Sequence, residues 1–310
     1  MKRMMIAVVL ALTPMPAVAQ APDCGETCML DLMTSYLDGL GVRDASQVPL
    51  AANHTVYENG KPSSTGTGIW TSGNGWTYRH TVADPQEQQA VTLGVIRDGD
   101  QPAFIAVRIA VEGKQIVESE LLVSRKGDFS LFEPGGPRDA DPIFGTFIPE
   151  DRRQSREELK AAAHGYFDSL INSDPARVRF HPDCNRVENG VLTTNGPRVG
   201  SSSCSEGVPR FSYMRGYHGL RFPVIDAARG LVMTALFFDM PMQDRTVQVR
   251  GETVAITAEK HHLPRSLYLF ELFKIEDGRI KRVEAVMRNE AYGTDFGFGG
   301  ESAEGPPLKP

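Results

Sequence analysis

The sequence predicts an α+β protein in which one unit, a helix followed by an antiparallel sheet that wraps it, is built twice in tandem. Two observations carry this. Residues 35–60, SYLDGLGVRDASQVPLAANHTVYENG, return without a gap at 165–190 as GYFDSLINSDPARVRFHPDCNRVENG, with eight of the 26 positions identical. Each copy starts on an apolar pattern of helical period, and the chain after it switches to runs of Val, Ile and Leu separated by turns. An ungapped repeat of this length marks one supersecondary unit written twice.

Ahead of the first unit, Lys2 and Arg3 precede an apolar run from Met4 to Leu12, and Ala17-Val18-Ala19 supplies small residues at a cleavage position. This is the pattern of a secretory signal peptide over residues 1–19, cut near Ala19. The run is too short to span a bilayer, and no later stretch approaches the roughly 20 apolar residues that spanning needs. The mature chain is therefore expected to be exported, periplasmic or secreted, without membrane insertion. Removing Lys2 and Arg3 takes the formal charge from -6 to -8. A mildly acidic chain without a basic stripe argues against nucleic acid and against anionic membrane surfaces as partners.

In the first unit (20–133), Met29, Leu32, Met33, Tyr36, Leu37 and Leu40 recur at helical steps, and Gly41 is expected to end the helix. Val48 to Leu50 and Thr55 to Tyr57 read as short extended pieces before the Asn59-Gly60 turn. Residues 61–75 read as a Gly/Ser/Thr-rich loop that buries Trp70. Strands follow over 90–97, 103–111 and 115–124; in the last, Glu118 and Glu120 give one partly polar face. Residues 134–154, rich in Pro, Gly and charge, form the linker. The second unit (155–292) opens on a capping box, Ser155 with Glu158, and repeats the helix pattern through Tyr166 and Phe167. Strands are expected over 231–239, 246–249, 253–257, 267–275 and 279–287, and residues 293–310 read as a flexible tail. RFPVID at 221–226 echoes RHTVAD at 79–84, which suggests Asp84 and Asp226 as turn or ion-pair partners of Arg79 and Arg221.

Four cysteines in an exported chain are read as disulfides. Cys184 and Cys204 enclose a polar, Gly/Ser-rich loop, and a bridge there contributes roughly 3 kcal/mol in the chain-entropy model. Cys24 and Cys28 then pair with each other by elimination or stay free. CxxxC without a second close Cys/His pair is poor zinc spacing, and His261-His262 has no third ligand nearby, so no metal is assigned. No nucleophile-elbow, HExxH, P-loop or dinucleotide motif occurs, which argues against the common serine and zinc hydrolases and leaves no cofactor.

A helix with Tyr, then Glu-Asn-Gly, then a meander closing on FKIEDGRIKRVEAV resembles the SnoaL-like, or nuclear-transport-factor-two-like, cone fold in tandem. More narrowly, PDCNRVENG, SCSEGVP, RFPVIDAARGLV, KGDFSLFEP and AYGTDFGF resemble a tandem domain-of-unknown-function family of exported fungal and bacterial proteins. The resemblance implies two cone-shaped α+β barrels packed as a pseudo-dimer, each with an apolar pocket for a small hydrophobic ligand. It also implies a helix Tyr as donor (Tyr36, Tyr166), an acid after the first strand as base (Glu58, Glu188), and a protonated acid on a late strand. That last position falls on Glu271 in the second unit and near Val107 in the first.

Each of these residues has a plainer reading. The tyrosines serve equally as core aromatics, the repeated glutamates as parts of a turn, and Glu271 as a solvated strand residue if it faces outward. His218, in the Tyr/Gly-rich RGYHGLRF, is a candidate proton shuttle with Asp226, or a solvated loop histidine. Two functions follow. The first is an exported, cofactor-free lyase or isomerase centred on Tyr166, Glu188 and Glu271, acting on a hydrophobic carbonyl- or hydroxyl-bearing molecule. The alternative is a non-catalytic ligand-binding or protein-interaction module.

Overall fold

The computed structural model describes residues 24–136, 139–196, 202–242, 244–249 and 251–297. The expected signal peptide over 1–19 lies outside the described residues, as does the end of the expected tail beyond 297.

Helix α1 (Glu26–Val42) buries Met29, Leu32, Met33, Tyr36, Leu37 and Leu40 on one face. Gly41 does not end it. The helix runs on to Arg43, whose left-handed conformation returns its N–H to the carbonyls of Gly39 and Leu40. Gly41 instead makes room for Trp76: a Cβ there would lie 2.9 Å from the indole nitrogen, which donates to the Leu37 carbonyl. The first sheet comprises β1 (Leu50–Glu58), β2 (Lys61–Ser63), β3 (Gly73–Asp84), β4 (Gln89–Asp98), β5 (Gln101–Glu112) and β6 (Gln115–Ser124), in the order β2-β1-β6-β5-β4-β3. The two short extended pieces are thus one strand, β1, with an irregular register between Leu50 and Thr55. The expected 61–75 loop holds β2 and a single turn, α2 (Ile69–Ser72), and buries Trp70.

The second half repeats this plan. Helix α3 (Arg156–Asn172) starts on the expected capping box and ends on Ser173 in the left-handed region. Its sheet comprises β7 (Phe180–Glu188), β8 (Val191–Leu192), β9 (Gly216–Asp226), β10 (Leu231–Met240), β13 (Arg265–Glu276) and β14 (Arg279–Glu290). The order is β8-β7-β14-β13-β10-β9. A separate hairpin, β11 (Arg245–Val249) with β12 (Glu252–Ile256), leaves the sheet between β10 and β13. In both halves the first strand pairs parallel to the last, β1 with β6 and β7 with β14. The Glu-Asn-Gly triplet turns each chain over. Asn59 and Gly60 have φ of 52° and 73°, and Asn189 and Gly190 have 43° and 77°, the positive values that a tight hairpin turn requires.

Two cores lie inside the sheets, each against its helix. A third lies between the sheets and takes Leu93, Phe104 and Leu122 from the first half and Phe237, Tyr268 and Phe270 from the second. The central strands are consequently buried on both faces, and β10 is buried throughout. This corrects the reading of Glu120 as part of a partly polar face: it is 1% exposed. Arg108 Nε reaches it at 2.7 Å, Arg221 Nη2 at 2.6 Å and the Tyr268 hydroxyl at 2.5 Å. Its counterpart on β14, Glu284, receives Tyr78 and His80 from the first half, each at 2.7 Å. Each half thus offers one strand carboxylate to the other, the reciprocity of a two-fold contact.

The expected pairs Arg79–Asp84 and Arg221–Asp226 do not form. Arg79 pairs with Asp38 and Asp84 with Arg156, both at 2.8 Å, while Asp226 takes Arg229 at 2.6 Å. Arg221 is drawn to Glu120 because that carboxylate is buried and otherwise carries a desolvated charge. The linker is packed rather than loose: Phe144 and Ile148 are buried, and Lys274 Nζ donates to the Thr146 carbonyl at 2.7 Å. Residues 293–297 of the expected tail are likewise anchored, with Phe296 packed edge-on against the stacked Phe237–Tyr268 pair and under the Arg221 guanidinium. Both disulfides are formed, Cys24–Cys28 and Cys184–Cys204. No helix among the described residues is long and apolar enough to cross a membrane.

Candidate functional site

The two ladders place the repeated residues on matching rungs. In the first half Glu58 faces Leu121, which faces Val107; in the second Glu188 faces Ala285, which faces Glu271. Strand β13 alternates, with Leu267, Leu269 and Phe273 in the core around α3 and Tyr268, Phe270 and Leu272 between the halves. Glu271 shares the first face and so points into the second cone.

There it meets Tyr166 from α3 and Arg186 and Glu188 from β7, all four lining one cavity of about 40 Å³. The Tyr166 hydroxyl accepts from Arg186 Nη1 at 3.2 Å. Arg186 Nε lies 3.8 Å from Glu188. One carboxyl oxygen of Glu271, Oε2, is buried without a hydrogen-bond partner. Burial pushes the Glu271 carboxyl up to about 8, the charge of Glu188 adds to the rise, and Arg186 and the nearby Tyr166 hydroxyl oppose it. Burial therefore favours the protonated form of Glu271, which is able to donate a hydrogen bond. Burial also raises the Tyr166 hydroxyl well above its ordinary value.

The mouth of this cavity is covered by α4 (Cys204–Gly207) and the turn after it, which bring Phe211, Tyr213 and Met214 to the lining. The Cys184–Cys204 bridge ties the start of that cap to β7, and Arg186 lies over the Phe211 ring at 4.8 Å. By volume the cavity has room for about three water molecules.

The first cone contains the matching Tyr and Glu with other partners. Tyr36 donates to Ser119 at 2.8 Å and accepts from Trp70 Nε1 at 3.0 Å. Glu58 accepts from the Ile69 N–H at 2.9 Å and so caps the turn that carries Trp70. Asn59 and Asn189 pin their turns to the last strands through Val123 and Met287. Within the triplet, Gly makes the turn, Asn ties it down, and Glu is structural in the first half.

His218 and Asp226 lie apart from this cluster. His218 is on strand β9 rather than in a loop, stacked on Phe237 between the halves, with Nδ1 2.8 Å from Asp239 and Nε2 3.0 Å from the Thr294 carbonyl. The hydrogen bond to Asp239 raises its pKa despite partial burial. Asp226 ends β9 and is occupied by Arg229. Arg186 was not among the expected residues, although the repeat sets it against Val56, an apolar-to-cation exchange at an inward position.

A family profile described as Domain of unknown function (DUF8021) matches residues 152–287, less than half of the chain. No curated protein matches the sequence. Among solved structures, the chain is similar to a putative polyketide cyclase from Xanthomonas campestris pv. campestris, with 17% identity over 42% of this chain and 90% of that one and a TM-score of 0.26. It is also similar to a steroid delta-isomerase from Pseudomonas aeruginosa, with 18% identity over 32% and 80% and a TM-score of 0.26. An LEH-like epoxide hydrolase from M. tuberculosis shares 16% identity over 43% and 84%, again with a TM-score of 0.26. At these identities and scores the likeness extends to no statement about activity.

Proposed function

We propose that the second half is a cofactor-free acid–base centre, a lyase or isomerase that acts after export on a hydrophobic molecule bearing a carbonyl or hydroxyl group. The observation that carries this reading is Glu271, a carboxyl held protonated inside the cone with one oxygen unpartnered, where the first half has Val107. Glu188 takes the proton from the carbon beside the carbonyl, while Tyr166 and protonated Glu271 donate to the oxygen as charge develops. Arg186 places a positive charge beside them. Return of that proton to another carbon completes an isomerisation; its transfer to a β-hydroxyl, which leaves as water, completes a dehydration. The small cavity suits only the reacting carbonyl and its α-carbon, with the apolar remainder under the cap. The two halves act as an intrachain pseudo-dimer, the first lending support through the interface.

The test is deuterium exchange. Incubation in D2O with a panel of ketones, enones and β-hydroxy ketones should label the α-carbon, with loss of labelling in Glu188→Gln and a decrease of about 100-fold in Glu271→Gln. No labelling across the panel, together with no small molecule retained on native mass spectrometry, overturns the reading. The non-catalytic alternative is a ligand-binding or interaction module, and the small volume of the cone cavity favours its interaction form.

A further inference from the structure

A larger void lies outside both cones. It has a volume of about 490 Å³ and is bounded by the outer faces of β3–β5, by the outer face of β14 and by linker residues 133–136 and 139–144. That size falls in the range of small-molecule sites, roughly 300–1,000 Å³, whereas the cone cavity is about 40 Å³. Its walls are chiefly apolar, with Phe104, Phe144 and Val286 among them, and its polar side carries the Tyr78–Glu284 pair. Among the described lining residues the charge is one-sided, four carboxylates to one guanidinium. Arg282 is already met by Asp141 and the Asp183 carbonyl, while Glu133 and Asp139 form no ion pair among the described residues. The Tyr78 hydroxyl registers the same field: burial raises it most, then Glu284, with Asp141 and Asp139 adding to the rise. Aromatic walls in a negative field are the surroundings that stabilise an organic cation and disfavour an anion.

We propose that this cavity between the halves is a binding site for an organic cation with an apolar tail, the ammonium facing Glu133 and Asp139 and the tail lying on Phe104, Phe144 and Val286. It is separate from the acid–base centre. Trp76 borders the adjoining shelf with Tyr78 and Pro134, whereas the other tryptophan, Trp70, is enclosed in the first cone, so Trp76 emission reports on occupancy.

The experiment titrates the full chain with octyltrimethylammonium, octyl sulfate and octanol below their micelle concentrations, by calorimetry and tryptophan fluorescence. The ammonium should bind about tenfold or more tighter than the sulfate and perturb Trp76. Ala140→Trp fills the cavity from the linker, outside either sheet, and should abolish binding; Glu133→Gln with Asp139→Asn should weaken the ammonium alone. No binding, equal binding of all three probes, preference for the sulfate, or binding unaltered by Ala140→Trp overturns the proposal. Glu271→Gln should leave the titration unchanged, and loss of binding in that variant would place the cation in the cone and overturn it as well.

Discussion

Val107 and Glu271 stand on the same rung of the two sheets, and the difference between them is the chief chemical difference between the halves. Where the residue is Val, the interior closes on Trp70 and its Tyr36 hydrogen bond; where it is Glu, a protonated acid stays among Tyr166, Arg186 and Glu188. The pH dependence of stability follows. Burial raises the folded pKa of Glu271 from 4.5 to about 8, so the folded state holds a proton that the unfolded state releases earlier. Stability is fully present below about pH 4.5 and declines as pH rises toward 8, by at most about 1.4 kcal/mol per unit. Urea titrations across this range should show that decline in the native protein and a flatter profile in Glu271→Gln. Parallel profiles would count against burial of the acid. The inward direction of Glu271 was not legible in LYLFELF because both faces of that segment are apolar, and both are apolar because the other half covers the outer one.

At the scale of elements, the helices, the meander strands and the turns were legible because each has one face on a core and a clear period. Strands β3 and β9 were not. Gly219 has positive φ and Pro223 removes a donor, two residues that ordinarily punctuate loops, and both edge strands carry register shifts that interrupt their alternation. The cap over the second cone was equally hidden: its one local signal is the Ser203–Glu206 capping box of a single turn, and a covalent tie holds that turn to β7. The Cys184–Cys204 bridge closes a loop with a sequence separation of 20. Replacing both cysteines by Ala should therefore lower stability by about 3 kcal/mol. The loss should concentrate in the cap: hydrogen exchange should accelerate over residues 203–214 and β8 before the rest of the sheet. Uniform acceleration would mean that the bridge holds the whole half and not its lid.

At the scale of the molecule, the decisive contacts join residues more than a hundred positions apart, and no local pattern announces them. Glu120 reads as a solvent-facing strand residue until Arg221 and Tyr268 arrive from the second half. Burial alone would raise its carboxyl, but the guanidinium groups of Arg221 and Arg108 reverse this and hold it at about 2. Its contribution is thus present above the ordinary carboxylate range and lost as pH falls toward 2. Glu120→Gln leaves buried Arg108, which keeps Glu118, and the part-exposed Arg221 facing a neutral amide, and should cost about 3 kcal/mol at neutral pH by denaturant titration. A loss below 1 kcal/mol would show that the guanidinium groups find water instead. Phe296 sits in this same joint, edge-on to the stacked Phe237–Tyr268 pair and against Gly219, while the neighbouring Asp295 carbonyl approaches Gly60 of the first half. The wedge that seals the two halves is therefore synthesised after everything it seals. The outer apolar face of the first half is therefore covered only once the second half has been made, an interval in which an exposed sheet face is prone to wrong pairings.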